Sequence, residues 1–568
     1  PPLAARLELY PTVASTFVGP ELLGRPTDHS VTVHALCLLE LEAYFEYGTQ
    51  PGDYEHWLAT SMLAYPAEAP IEVVLDGLAS DTQYHYRMRY RRPGEAEFVC
   101  GPDHSFHTQR PNGSTFTFTV QADSHLQGAI ACHAQKELEL YQRTLLNALA
   151  DGPDFHIDLG DTLHAEYNAG RDAVDYQEVC KRDLDQRPYF GLLCHSAPLF
   201  LALGNHEAEQ GWRLDGTPDN LAVWATNARK MFYPNPVPDS FYTGCTTAED
   251  FVGLRQSYYA WHWGDALFVV LDPYWYTTTK PHHVGGSGSG DRWDWTLGEE
   301  QYDWLKQTLE QSDVTFKFVF AHQLTGGYTL YGRGGIEAVS HALGGQGSYE
   351  WGGENEDGTW GFNDRRPGWD QPIHQLMADA NVAIFFHGHD HVFVKQDLDG
   401  IVYQTCPQPS DAGYGEGGYS VSGYQYGDQV NNSGHIRVTV APYRVTVDYV
   451  RAYHPDDETP EQQNGTVVYS YSIFDCNANG VPDPHDLADG TSHDCNGNGI
   501  PDECEPGDVD GDGDVDLSDL ATFALCFSNG ATTPPPGCSA SQFCSADLDD
   551  DGDVDLSDFA TFALQFTG

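Results

Sequence analysis

Basic side chains are scarce in this chain. Over 568 residues, 28 Lys and Arg stand against 84 Asp and Glu, a formal net charge of -56. A surface of that sign repels nucleic acid and anionic membranes, so neither is expected as a partner. It suits a calcium-rich or saline exterior, where cations screen the self-repulsion. Long apolar runs are missing too: none approaches the roughly 18 residues needed to span a bilayer. The sequence opens at Pro1 without Met and without a signal-peptide pattern, as expected of a mature, processed chain. From residue 475 onward Lys and Arg are absent altogether, while nineteen Asp and two Glu are present. Cysteine is plentiful there. Six of the thirteen (Cys476, Cys495, Cys504, Cys526, Cys538 and Cys544) fall in the last hundred residues. That density predicts disulfides, an oxidising compartment and a secreted or cell-surface-attached protein. The odd total leaves at least one thiol unpaired or paired between chains. The length is too great for one core and predicts three to four domains.

Five stretches share one arrangement. Thr115–Val120 alternates hydroxyl and apolar residues, reads as a strand, and runs out into Asp123-Ser124-His125. Phe155–Leu159 is a short strand-like run before Gly160-Asp161, and Pro198–Leu203 another before Gly204-Asn205-His206-Glu207. Thr315–Ala321 ends at His322, and Val382–Phe386 ends at His387-Gly388-His389-Asp390-His391. In open α/β sheets the loops beyond the carboxyl ends of strands converge, and sites form there. An isolated Asp or His after a strand is more often a turn former, but five strands ending in Asp, Asn or His are hard to explain as packing.

Around this centre the chain reads as a multidomain protein. Residues 1–110 carry alternating strands separated by turn residues at the spacing of a β-sandwich. From 111 to 474, strands alternate with helical patterns. Leu138, Tyr141, Leu145 and Leu149 lie on one helix face, and Leu297–Leu309 and Pro372–Ala380 predict two more helices. This rhythm implies a layered α/β domain. The Gly-rich stretches 285–290 and 344–353 read as loops. Residues 475–568 are acidic enough for a disordered tail, but they contain repeats. In the 507–568 segment, Asp508, Asp510, Asp512, Asp514, Asp516 and Asp519 place oxygens at alternating positions with Gly513 sixth, the spacing of an EF-hand loop. Asp547, Asp549, Asp551, Asp553, Asp555 and Asp558 repeat it, with Gly552 sixth. Each loop leads into an apolar helical run, Leu520–Leu525 and Phe559–Leu564. In the 475–506 segment a second oxygen-rich pattern occurs twice, through Asp475, Asn477, Asn479, Asp483 and Asp486, and through Asp494, Asn496, Asn498, Asp502 and Glu505. Calcium is the expected cation for all four.

Asp-x-His, Gly-Asp, Gly-Asn-His-Glu, a lone His and Gly-His-x-His, in that order, resemble the calcineurin-like metallophosphoesterases. Ile71–Leu78 followed by Asp81–Arg87 resembles the fibronectin type III module that precedes the catalytic domain of purple acid phosphatases. Together these make residues 1–474 most similar to that branch. The tail resembles thrombospondin type 3 repeats followed by a type I dockerin, which implies a cohesin-like or surface partner. Carried over by position, the resemblance implies that Asp123, His125 and His391 hold one transition-metal ion. It implies that Asn205, His322 and His389 hold a second, and that Asp161 bridges them, with Fe, Mn or Zn as the metals. His206 is the candidate proton donor or a phosphate ligand, Glu207 is expected to orient a histidine, and Arg333 reads equally as a phosphate clamp or a surface residue. His387 reads equally as a plain buried histidine, and Asp272 as structural or as a support for the metal ligands. Two departures stand out. The chain has His125 where purple acid phosphatases have Gly, and His164 where they have a Tyr ligand. The first moves the site toward calcineurin-type and alkaline phosphatase D-type relatives; the second leaves His164 open as a ligand, a substrate contact or a solvent-facing residue. The implied activity is hydrolysis of phosphate monoesters by a metal-bridging hydroxide. The alternatives are a phosphodiesterase or nucleotidase, and a calcium-dependent matrix protein with a relic catalytic domain.

Overall fold

The structure is a computed structural model. It describes residues 16–126, 135–165, 172–281, 288–326, 333–415, 423–510, 515–549 and 551–565. Residues 285–287 of one predicted Gly-rich loop, and the candidate ligands Asp512 and Asp514, lie outside the described residues. The chain divides into two compact units, Pro1–Asp397 with Val402–Ser472, and Leu398–Ile401 with Ile473–Gly568.

The first unit begins with two antiparallel sheets. Strand Leu41–Gly48 shows the expected period of two, burying Leu41, Ala43, Phe45 and Tyr47. The outward residues Glu42 and Glu46 pair across the sheet with Arg91 and Arg87 of strand Gln83–Arg91, at 2.6 and 2.7 Å. The facing sheet contributes Val31, Val33, Ile71 and Leu75 to the same core as Phe45, Tyr86 and Phe106. Burying each large apolar side chain is worth about 1.5–3 kcal/mol, which fixes the register.

Two mixed sheets follow. One runs in the order Leu199–Leu201, Phe155–Asp158, Phe116–Gln121, Gly434–Ala441, Arg444–Arg451, Val467–Phe474; its first three strands are parallel. The other has a parallel core of Ala266–Val270, Phe316–Ala321, Val382–His387 and Ile401–Thr405. Every residue of Phe316–Ala321 and Val382–His387 is buried, which explains their largely apolar character, Lys317 and His387 apart. The sheets meet through aromatic rings: Phe118 lies 5.1 Å from Phe268 and 5.6 Å from Phe318. Helix Gln135–Ala150 buries Leu140, Tyr141, Leu145 and Ala148, and helices Glu299–Glu310 and Ile373–Asp379 fall where the periodicity places them. The stretch 344–353 departs from a plain loop. Tyr349–Gly352 forms a helical turn, with Gly352 N donating to Ser348 O and Gly353 (φ 93°) ending it.

The second unit is built from short helices, loops and three disulfides, Cys476–Cys504, Cys495–Cys544 and Cys526–Cys538. Helices Leu517–Cys526 and Leu556–Gln565 pack Phe523 and Phe562 onto Val509, Phe543 and Val554. Helices Asp483–Asp489 and Ala540–Ala546 were not anticipated. Asp519 accepts from Val509 and Asp510 N, and Asp558 accepts from Leu548 and Asp549 N, so the two loops are closed by equivalent carboxylates. In the preceding repeats Asp475 accepts from Asn479 and Gly480 N, and Asp494 from Asn498 and Gly499 N. Among the described residues no helix is long and apolar enough to cross a membrane.

Candidate metal centre

The five strand ends converge. Beyond Phe116–Gln121 the chain turns so that Asp123 N donates to Gly160 O and His125 N to Asp161 O, both at 2.9 Å. The loop after Phe155–Asp158 and the loop after Leu199–Leu201 touch backbone to backbone. A Cβ on Gly160 would lie 2.2 Å from Gly204 N, and one on Gly204 would lie 2.2 Å from Asp161 N. That contact requires glycine at both positions, as the two motifs have it. Asp123, His125, Asp161, His389 and His391 all have left-handed backbones, with φ of 63°, 53°, 52°, 71° and 56°. For residues other than glycine this conformation costs about 1–2 kcal/mol each, and such strain clusters at functional sites.

The two central carboxylates are used alike. Asp123 Oδ2 accepts from His389 N at 2.8 Å, and Asp161 Oδ1 accepts from His206 N at 2.7 Å. The second oxygen of each faces imidazoles. Asp123 Oδ1 is 3.3 Å from His391 Nε2 and 3.4 Å from His125 Nε2. Asp161 Oδ2 is 3.3 Å from His322 Nε2 and 3.9 Å from both His125 Nε2 and His206 Nε2. Two groups could therefore hold metal ions: Asp123, His125 and His391, and Asp161, His322 and His389, each with its donor atoms within 4.8 Å of one another. His125, His164 and His206 form a third such group. His125 Nδ1 lies 2.6 Å from His164 Nε2, and the His164 and His206 rings are 4.1 Å apart.

The donor atoms fit cations. Asp123 Oδ1, Asn205 Oδ1 and His322 Nε2 are buried without a hydrogen-bond partner. His322 Nδ1 pairs with Leu159 O at 2.9 Å, which aims Nε2 at the two carboxylates. Buried imidazole and oxygen donors suit a first-row transition metal. Without one, burial would hold the His322 imidazole neutral, but Asp161 and Asp123 raise it to about 10. Burial would likewise raise Asp123, yet His391 and His322 hold it well below the usual carboxylate range. His125 is lowered to about 4 by burial and by His391, and His389 is lowered by burial and by Arg333.

Several residues differ from expectation. Among the described residues Glu207 makes no hydrogen bond to a histidine. Its carboxylate accepts from the backbone N of Asp161, Thr162 and Gly204 at 2.9, 2.8 and 2.7 Å, binding two strand-end loops together. Burial and Asp161 raise it to about 7. His164 is buried rather than solvent-facing. Arg333 donates to His389 O and to Asp390, so it belongs to the His389 turn and not to the open surface. His387 is a buried core histidine, its Nε2 3.0 Å from Thr405 Oγ1. Asp272 is structural and pairs with buried Arg255. Two contributors escaped the sequence reading: Leu159, which acts through its carbonyl and so leaves no side-chain signal, and Asn432, whose Nδ2 donates to His391 O at 2.8 Å.

No protein-family model and no curated protein matches the sequence. Among solved structures, PhoD is similar with a TM-score of 0.57 at 14% identity, over 81% of this chain and 91% of that one. The purple acid phosphatase PPD1 from yellow lupin (Lupinus luteus) seeds is similar with a TM-score of 0.51 at 14% identity, over 80% of this chain and 74% of that one. At that identity the likeness concerns the fold. The fold is shared with those two structures, and in this chain the strand ends carry buried His and Asp groups able to hold metal.

Proposed function

We propose that the protein is a secreted, metal-dependent phosphoric ester hydrolase acting on monoesters. Asp123, His125 and His391 would hold one transition-metal ion, and Asn205, His322 and His389 the second, with Asp161 between them. The observation that supports this reading is the clustering of Asp123 with His125 and His391, and of Asp161 with His322 and His389, while Asp123 Oδ1, Asn205 Oδ1 and His322 Nε2 are buried without a hydrogen-bond partner. Two cations held there would supply charge neutralisation for the ester phosphate and would lower the pKa of water. The chain's own groups supply the rest. Glu207 and the paired glycines fix the Asp161 and Asn205 loops relative to each other. His206 is the most solvent-accessible imidazole of its group, with a side chain 27% exposed, and offers Nε2 to the leaving oxygen. Arg333 brings a guanidinium to the His389 turn, where it would face phosphate oxygens.

Metal analysis of natively purified protein, with turnover of a chromogenic phosphate monoester and diester, tests this. Two transition-metal ions per chain and preferred monoester turnover are expected. Preferred diester turnover would move the reading to a phosphodiesterase, and metal-loaded protein without turnover would make it a matrix protein. Asp161→Asn should abolish hydrolysis and metal retention, because a neutral amide cannot offset two cations; activity within about tenfold of wild type would remove Asp161 from the centre.

For the tail we propose four calcium sites that fold it into an anchor for a cohesin-like or surface partner. The support is the doubled spacing of oxygen ligands and the equivalent closure of two loops by Asp519 and Asp558. The three disulfides of the tail accord with an extracellular location.

A further inference from the structure

We infer that Asp390 is the positioning residue of the centre, fixing Arg333 against the turn that carries His389 and His391 so that the guanidinium meets a substrate phosphoryl group in one orientation. The inference rests on the phosphoesterase reading above.

Asp390 sits between two left-handed histidines and is 1% exposed. Its side chain is held from two separate parts of the chain, Arg333-Gly334 and Tyr424. Oδ1 accepts from Arg333 Nη1 at 3.2 Å, and the same Nη1 donates to His389 O at 3.0 Å. Oδ2 accepts from Gly334 N at 2.8 Å and from Tyr424 Oη at 2.6 Å. Tyr424 Oη is also 2.9 Å from Thr405 Oγ1, at the end of the strand next to Val382–His387. A carboxylate gripped by a guanidinium, a backbone amide and a phenol cannot rotate, and neither can the groups it grips.

Such a lock has a physical purpose here. The left-handed positions of His389 and His391 carry strain, and charge-assisted bonds to the intervening carboxylate offset it. The net charge of -56 also disfavours any anionic substrate at long range. A cation must therefore be placed locally, and an arginine on a long side chain holds phosphate well only if its fork is oriented beforehand.

The test is a double-mutant cycle on the full-length, metal-loaded protein. Asp390→Asn, Arg333→Ala and the double variant are compared for KM with a phosphate monoester and for calorimetric affinity toward inorganic phosphate. Each single change should weaken both by roughly 10- to 100-fold, the worth of one charge-assisted hydrogen bond. The double variant should be no weaker than Arg333→Ala. Factors that multiply would overturn the inference. So would an Asp390→Asn protein with lowered Tm and metal content but unchanged KM and phosphate affinity, which is what a merely structural role predicts. If Asp390→Asn does not fold, Tyr424→Phe combined with Arg333→Ala runs the same cycle. A wild type that binds phosphate but does not turn over esters fails the hydrolase reading while the cycle still reads out; a wild type that binds no phosphate overturns the positioning role.

Discussion

Metal uptake by the metal-free protein should release a proton from His322. The Nδ1 of this ring is engaged by Leu159 O at 2.9 Å, so Nε2 is the titrating atom, 3.3 Å from Asp161 and 3.9 Å from Asp123. Burial opposes the charge, but the two carboxylates outweigh it and raise the imidazole to about 10. The proton occupies the place a cation would take. At neutral pH displacing it costs about 4 kcal/mol, since each pKa unit is worth about 1.36 kcal/mol. Because the folded-state value is raised, this group's contribution to metal-free stability is complete below the ordinary value of 6.5 and is lost as pH rises through about 10. Over the same window the apparent metal affinity should climb about tenfold per pH unit. Competition against a chelator of known pH dependence, at fixed ionic strength, measures the slope. Calorimetry in buffers of different ionisation enthalpy counts the protons released. An affinity that stays flat across that window, or uptake without proton release, would refute the reasoning.

His206→Ala should cut turnover by roughly 10²–10⁴-fold with metal content intact, and the loss should shrink for esters with good leaving groups; an equal loss on all esters would rule out proton donation. Gly160→Ala adds a Cβ 2.2 Å from Gly204 N at a φ of 94°. It should lower stability by about 2–5 kcal/mol and metal retention with it, and unchanged thermal unfolding would show that the two loops can part. Removing calcium with a selective chelator should expose residues 475–568 to protease and leave phosphatase activity in place, because the carboxylates then repel without a counter-ion. A tail that stays protected would contradict calcium-coupled folding.

Local pattern carried much of this protein. The largely apolar runs Phe316–Ala321 and Val382–His387, interrupted only by Lys317 and closed by His387, announce strands covered on both faces, and they are buried throughout. The donors that close each strand were visible as Asp, Asn and His at strand ends, because a strand of known polarity says which end opens to a site. The regular spacing of acidic residues in the tail is likewise a local property, readable in the sequence alone. Tertiary structure decided what depends on distant partners. His389 N and Asp123 lie 266 residues apart in the chain and 2.8 Å apart in space. Glu207 was expected to serve a histidine and instead binds three amides on two loops, because the backbone contact of Gly160 with Gly204 brings those amides to it. The left-handed turns, the pairing of six tail cysteines and the grip of Asp390 on Arg333 have no local signature either. Spacing along the chain determines which chemistry a segment can supply; only the packing of two sheets on each other determines which of those groups face one another across the gap.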